Sequence, residues 1–198
     1  NKDPRAKAIL ENLSKKNKSY STISANFEYK LSNADEGIDE TQKGTLVLKG
    51  NKYKLGIAGQ EVICNGQVVY TYLKDADEVQ INNMPSAEEE ADNFFNPSNI
   101  FNIYEHGFKY KYMNEDIKNG KKVDVINLYP EAANDKPYHT IQLIIDKEAV
   151  QINSMVVKGK DGNTYTYSLS KFVTNQPIND SDFNFDTSKI GDVIDLRD

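Results

Sequence analysis

The feature that most constrains this chain is the dipeptide Asn65-Gly66, set between two short apolar runs. The stretch Gly59–Ile81, GQEVICNGQVVYTYLKDADEVQI, reads as two strands joined by that dipeptide, a polar turn, and a third strand. A type I′ turn requires positive φ at both central residues, and Asn-Gly adopts it at the least steric cost. The expectation is a type I′ hairpin at the centre of an antiparallel meander.

The flanking sequence continues that pattern. Ile23, Ala25, Phe27, Tyr29 and Leu31 alternate with Ser24, Asn26, Glu28 and Lys30, a period of two with one apolar face. Turn signals at Asn33–Gly37, Gly50-Asn51 and Ala58-Gly59 separate strands at 38–49, 52–57 and 61–64. After Gly107, Phe108, Tyr110 and Tyr112 alternate with Lys109 and Lys111. A turn at Lys118–Lys121 leads to Val123 and Val125, and Thr140–Ile145, Ile152–Val157 and Tyr165–Phe172 bring the count to about eleven strands. Connections of two to five residues make sequence neighbours antiparallel neighbours in space.

Two stretches leave the pattern. Residues 3–19 read as a helix, with Asp3 as N-cap, Pro4 at the first turn, and Ala6, Ile9, Leu10 and Leu13 on one stripe. At 83–105, Ser86 caps an acidic helix start. Phe94, Phe95, Ile100, Phe101, Ile103 and Tyr104 follow, around a restart at Asn96-Pro97-Ser98. That concentration is either a helical plug on the open end of a sheet or a movable lid over an apolar cavity. The tail 174–198 is polar and Asp-rich, anchored by Ile178, Phe183 and Phe185, with an apolar pair at Val193-Ile194. With no repeat and no linker, 1–198 reads as a single α+β domain.

Composition narrows the function classes. Hydrophobic residues make up 38% and charged residues 27%, a globular composition. The net charge of −6 argues against nucleic-acid binding. Arg5 and Arg197 are the only arginines, so bidentate anion recognition is not a theme of the middle of the chain. A lone cysteine, Cys64, forms no internal disulfide and reads as a buried strand residue. No stretch approaches the ~18 apolar residues of a membrane span. His106 and His139 have no Ser or Cys partner in a recognisable motif, and neither a phosphate-cradling loop nor HExxH occurs. Asp75-x-Asp77-Glu78 lacks the glycine and glutamate of an EF-hand loop and reads as a solvated turn. Glu88–Glu90 reads as a helix-start charge run. No catalytic residue, metal site or cofactor is therefore expected. What the chain does carry is aromatic surface: twelve Tyr and eight Phe. A curled, one-sided sheet leaves an apolar pocket, which points to an apolar ligand, the alternative being a filled core.

Four collinear segments carry a family resemblance: DPRAKAILENLSKKNKSYSTISANFEYKL near the N-terminus, Lys43–Lys49, Cys64–Tyr72, and Asp180–Phe185 with the close at Val193–Arg197. Together they resemble the LolA-type periplasmic carrier of outer-membrane lipoproteins, in a Bacteroidetes-like form. The resemblance implies an unclosed, or half, antiparallel β-barrel of about eleven strands with an N-terminal helix and a helical lid. It implies a monomer without enzymatic activity or cofactor. Its cavity takes the acyl chains of lipoproteins released by an inner-membrane ABC transporter, for delivery to an outer-membrane acceptor that the sequence does not identify.

By position, the resemblance makes Phe27, Tyr29, Leu46, Leu48, Tyr53, Leu55, Ile63, Val69 and Tyr110 the cavity wall. The parity of the second strand decides between Leu46 with Leu48 and Thr45 with Val47. Phe94, Phe95, Ile100, Phe101 and Tyr104 would form the lid. Relatives carry an Arg-Pro that latches the lid to the barrel; here Lys49-Gly50-Asn51 stands in that place, and Lys49 is the candidate latch. Lysine does not reproduce an arginine that makes several bonds. A second reading from the same fold is a lipid-binding or envelope-sensing module that transports no lipoprotein.

Overall fold

The computed structural model describes residues 2–86, 89 and 97–198. Helix α1 (Pro4–Ser19) is followed by β1 (Ile23–Asn33), β2 (Ile38–Lys49), β3 (Lys52–Ile57), β4 (Gln60–Cys64), β5 (Val68–Leu73) and β6 (Glu78–Asn83). Then come β7 (Phe108–Lys118), β8 (Lys121–Pro130), β9 (Tyr138–Asp146), β10 (Gln151–Gly159), β11 (Thr164–Thr174) and β12 (Asp192–Asp195). Among the described residues the ladder order is β12-β6-β5-β4-β3-β2-β1-β11-β10-β9-β8-β7, with β12 and β7 at its two ends, so it does not close. The α+β class, the N-terminal helix and the unclosed, mostly antiparallel sheet are those expected from the sequence.

Three details differ from expectation. The strand count among the described residues is twelve, because Val193-Ile194 forms β12, which runs parallel to β6. Four residues between aspartates show no period, so nothing local announces this strand. Asp77 places it: its carboxylate accepts the Gly191 N–H and its carbonyl accepts the Asp192 N–H, each at 3.0 Å. Asp75–Glu78 is thus a docking turn and not merely a solvated one. The third difference is at Asn65-Gly66, where only Gly66 has positive φ, at 95°. The Asn65 carboxamide accepts the Gln67 and Val68 N–H groups at 3.0 and 2.9 Å, so its side chain satisfies the turn in place of a left-handed backbone. Primed geometry appears instead at Ala58-Gly59 (φ 46° and 75°) and Asn119-Gly120 (φ 50° and 77°).

The residues gather into two compact units. The first comprises Asn1–Ser19, Glu28–Thr41 and Ile100–Ser170. Its core consists of cross-strand rows, Ile126-Leu143-Met155-Tyr167 and Leu128-Ile141-Val157, contributed by β8 to β11. All seven side chains are at most 2% exposed. Each such burial contributes roughly 1.5–3 kcal/mol. Helix α1 buries Ala6, Leu10 and Leu13, as its apolar stripe requires.

The second unit comprises Tyr20–Phe27, Gln42–Asn99 and Lys171–Asp198. Here Leu48 of β2 pairs with Tyr53, Tyr53 with Cys64 and Cys64 with Val69. A parallel row runs Leu46-Leu55-Val62. At the start of these rows a Cβ on Gly44 would lie 2.3 Å from the Gly56 carbonyl oxygen and 2.4 Å from Phe27 Cζ. The Phe27 ring occupies the space a side chain would take, and Phe27 is 3% exposed. Ser86 and Glu89 exchange reciprocal side-chain to N–H bonds of 2.9 and 3.3 Å, a capping box at the position where the sequence placed Ser86 as cap.

Gly44→Ala is expected to destabilise the protein by about 1–3 kcal/mol, because neither the Phe27 ring nor the Gly56 carbonyl has room to retreat. The urea midpoint of the variant checks this; a midpoint indistinguishable from that of the wild type would show that the β2–β3 pair gives way without cost.

Candidate functional site

Side chains along a strand alternate between two faces, so the register sorts the second unit's residues. Leu46, Leu48, Tyr53, Leu55, Val62, Cys64 and Val69 share one face, joined at Gly44 by Phe27. The parity of β2 thus puts Leu46 and Leu48, not Thr45 and Val47, on this face. Tyr53, Cys64 and Val69 form a packed cluster with Leu48 and Val62 half-buried against it. The whole set is apolar apart from the Tyr53 phenol and the Cys64 thiol. Cys64 is fully buried, and its sulfur lies 3.7 Å from the Asn51 carbonyl oxygen.

The opposite face carries a different load. Ile63 pairs with Lys54 and Tyr70, which places it away from the other six second-unit residues that the sequence suggested as wall. One residue of β4 had to be chosen without register, and Cys64 occupies the position assigned to Ile63. The Ile63 face receives the C-terminal segment. Phe183 is 1% exposed, and Phe185 lies 5.6 Å from the Tyr70 ring and 5.5 Å from the Tyr72 ring.

Lys49 belongs to that covering. Its ammonium donates to the Ile178 carbonyl at 2.6 Å and pairs with the Asp180 carboxylate at 2.9 Å. Lys52, across the Gly50-Asn51 turn, reaches the same carboxylate at 3.3 Å. Hydrogen bonds from the two lysines hold the Asp180 carboxyl below the usual aspartate range. The sequence suggested Lys49 as a lid latch; its partners here belong to the C-terminal segment. Sequence reasoning missed Asp180 and Asp77 as docking groups, since each pairs across more than a hundred residues.

The remaining expected residues lie in the first unit. Tyr29 is half-buried, its ring 5.2 Å from Tyr167 and 6.4 Å from Tyr165. The Tyr167 hydroxyl is buried and has no hydrogen-bond partner among the described residues; burial raises its pKa. Tyr110 lies on β7, the end strand, with the Lys2 ammonium 5.6 Å from its ring centre. Ile100, Phe101 and Tyr104 are buried in two short 3₁₀ turns, Pro97–Phe101 and Ile103–Glu105. The Tyr104 hydroxyl accepts from Asn17 at 3.4 Å. The Glu105 carboxylate accepts from Ser14 at 2.6 Å and pairs with Lys18 at 2.9 Å. Burial alone would raise the Glu105 pKa; the Ser14 and Lys18 bonds outweigh it and lower it. This end of the expected lid is therefore fastened to α1. Phe94 and Phe95 lie outside the described residues.

Among the described residues no three His, Cys, Asp or Glu side chains gather as metal ligands would. No helix among them is long and apolar enough to cross a membrane.

The family described as outer membrane lipoprotein carrier protein LolA matches residues 18–186. The chain belongs to the LolA family. A sequence comparison with curated proteins finds no match. Solved structures with the same fold include an uncharacterised conserved protein of Thermus thermophilus, 10% identical, with a TM-score of 0.64 over 98% of this chain and 99% of that one. The lipoprotein LppX of Mycobacterium tuberculosis is 13% identical, with a TM-score of 0.51 over 87% of this chain and 98% of that one. A DUF1329 family protein of Desulfovibrio piger is 11% identical, with a TM-score of 0.51 over 90% of this chain and 96% of that one. At these identities the likeness is one of fold. In this LolA-type fold the apolar row and the covered face are back to back on the same strands, β2 to β5.

The depressed Asp180 pKa sets the sign of a pH effect. An aspartate whose folded value lies below its unfolded value stabilises the fold above the unfolded value and loses that contribution as pH falls through the folded one. The clamp is expected to be complete at neutral pH and to loosen as pH drops below the ordinary 3.8. Amide exchange across 178–186 should rise over that acid range in the wild type. In Asp180→Asn it should already be raised at neutral pH and show no acid step. An unchanged exchange rate in the variant would show that Phe183 and Phe185 hold the segment alone.

Proposed function

We propose that this LolA-family chain carries acylated lipoproteins through the periplasm, holding their acyl chains against the apolar face of the second unit. The single observation behind this reading is the unbroken row Leu48-Tyr53-Cys64-Val69 with its neighbours Leu46, Leu55 and Val62, flanked by Phe27. The opposite face of the same strands is already taken by Phe183, Phe185 and the Lys49–Asp180 clamp, so we assign the cargo to the apolar row, whose Leu48 and Val62 are only half-buried. Sequestering an acyl chain is worth ~0.8 kcal/mol per methylene, so three chains bind strongly without a single polar contact. No bond is made or broken, and no cofactor is needed. The cargo arrives from an inner-membrane ABC transporter and leaves to an outer-membrane acceptor; the carrier acts as a monomer.

The test uses a synthetic tripalmitoylated lipopeptide as probe. Leu48→Glu and Val62→Glu alter half-buried wall positions, so the fold is expected to survive with Tm lowered by only a few degrees. Lipopeptide binding is expected to weaken at least ~10-fold in each, a change of about 1.4 kcal/mol or more. Native mass spectrometry of the wild type isolated from the periplasm should show a triacylated polypeptide. Bound free phospholipid or fatty acid alone would replace this reading with a lipid-binding or sensing role, and unaltered binding in both variants would move the site off this face.

A further inference from the structure

A groove of about 760 Å³ lies in the first unit, where the start of α1 meets β7, on residues that the acyl-chain reading does not use apart from Tyr110. We propose that it binds a phosphoryl group, carried by a lipid headgroup or by a soluble phosphate ester. Lys109 and Lys111 come from alternate positions of β7 and so stand on one side of the strand, roughly 7 Å apart. Lys2 joins them from the N-terminus, and its ammonium lies over the Tyr110 ring. Among the described residues none of the three ammonium groups has a carboxylate partner. The one carboxylate in the groove, Asp3, is occupied: it accepts the Tyr112 N–H at 3.0 Å and the Arg5 and Ala6 N–H groups at 2.9 and 3.4 Å.

A hydrogen-bonded chain adds a directed donor. Gln142 donates to the Asn127 carbonyl oxygen at 3.0 Å, and the Asn127 amide donates to the Tyr129 phenol oxygen at 3.1 Å. Tyr129, paired with Lys109 in the register, lines the groove. With its oxygen already accepting, the Tyr129 O–H is left to donate to a ligand. By the same alternation Tyr110, with the Lys2 ammonium over its ring, lies on the other side of β7, so Lys109, Lys111 and the Tyr129 phenol are the donors that share one side and suit a tetrahedral anion. A planar carboxylate is better served by a guanidinium fork. Arg5 is not available for that: it stacks on Tyr112 at 3.7 Å and donates to its hydroxyl at 3.0 Å. The groove volume exceeds that of a phosphate and leaves room for the organic remainder.

The chain's net charge of −6 sharpens the test, because an acidic protein is repelled by anionic surfaces unless a local site overrides the repulsion. Co-sedimentation with phosphatidylglycerol vesicles and calorimetry with glycerol 3-phosphate form its two arms. The wild type is expected to bind at least one probe. Lys109→Gln with Lys111→Gln should weaken that binding about 25-fold, two lysines at roughly five-fold each. Tyr129→Phe should weaken it about ten-fold by removing one charge-assisted hydrogen bond. Lys43→Gln with Lys74→Gln, the same loss of charge elsewhere, should change it by less than about two-fold, as distant exposed charges are screened. Vesicle binding alone assigns a lipid headgroup; glycerol 3-phosphate binding with the same variant dependence assigns a soluble ester. Three results would each overturn the proposal: no binding of either probe, equal binding to phosphatidylcholine vesicles, or an equal loss in the control pair. Because Leu48→Glu leaves the groove intact, it should bind these probes like the wild type, which separates failure here from failure of the acyl-chain reading.

Discussion

An unclosed ladder ends in two strands whose outer N–H and C=O groups have no partner, and such edges invite pairing with other chains. In this protein two aspartates manage them. On β7, Asp3 donates its own N–H to the Tyr110 carbonyl at 3.2 Å and accepts the Tyr112 N–H on its carboxylate. The same carboxylate caps α1 through Arg5 and Ala6. One residue thus blunts the edge and starts the helix, so α1 has its position along β7 set from its first turn. At the other side Asp77 seats Gly191 and Asp192, and β12 is laid parallel on β6. The Asp195 carboxyl, held down to about 2 by Arg197, keeps the outer side of β12 charged. A charged rim on a short strand is a standard defence against edge-to-edge association.

The second consequence concerns faces. Strands β2 to β5 carry an apolar row on one side and a mixed side on the other, where Ile63, Tyr70 and Tyr72 stand beside Lys49, Lys52, Lys54 and Glu61. The C-terminal segment resolves one side by bringing Phe183 and Phe185 against it, held by Asp77 and the Lys49–Asp180–Lys52 cluster. The row through Tyr53, Cys64 and Val69 is the other. Gly44 belongs to the same logic: the lack of a side chain there lets the Phe27 ring lie across β2 and extend the row by one aromatic. A sheet built this way has an apolar surface whose shape is set by backbone register and glycine placement rather than by mobile side chains.

Much of this was legible in the sequence, and the reasons are particular. Period-two alternation revealed β1 to β5 and β7 to β11 because each strand has a wet and a dry side for at least part of its length. The helix was announced by Asp3-Pro4 and by one stripe. Ser86 was readable as a cap because capping is local. What failed was non-local. The Ile63 assignment failed by one residue because both neighbours, Ile63 and Cys64, are buried on opposite faces, and alternation carries no information where both faces are dry. β12 was invisible because its position depends on Asp77, more than a hundred residues earlier. The Asn65-Gly66 turn kept its place and changed its type, since the Asn65 carboxamide competes with its own backbone for the turn amides. The three lysines of the groove were each readable as solvated residues; only the fold brings Lys2 and Tyr129 beside Lys109 and Lys111.

Lys49 shows how an ammonium finds partners where a guanidinium was expected. A guanidinium makes several bonds from one planar group, whereas an ammonium is a point charge. Here the carbonyl of Ile178 and one oxygen of Asp180 satisfy Lys49, and Lys52 supplies the second charge that a single lysine lacks. Two lysines flanking a tight turn thus grip one carboxylate with two charges, and what they grip is the tail that covers the Ile63 face. On the proposed acyl-chain reading, the free energy that opposes binding, and so permits release, would come from elsewhere than this clamp. The apolar row is its nearest source. Tyr53, Cys64 and Val69 already pack on one another and on Leu48 and Val62, so a chain that enters must replace contacts the row makes with itself. For the proposed cargo, affinity would be the difference between those two sets of contacts, which would keep an apolar chain bound yet transferable.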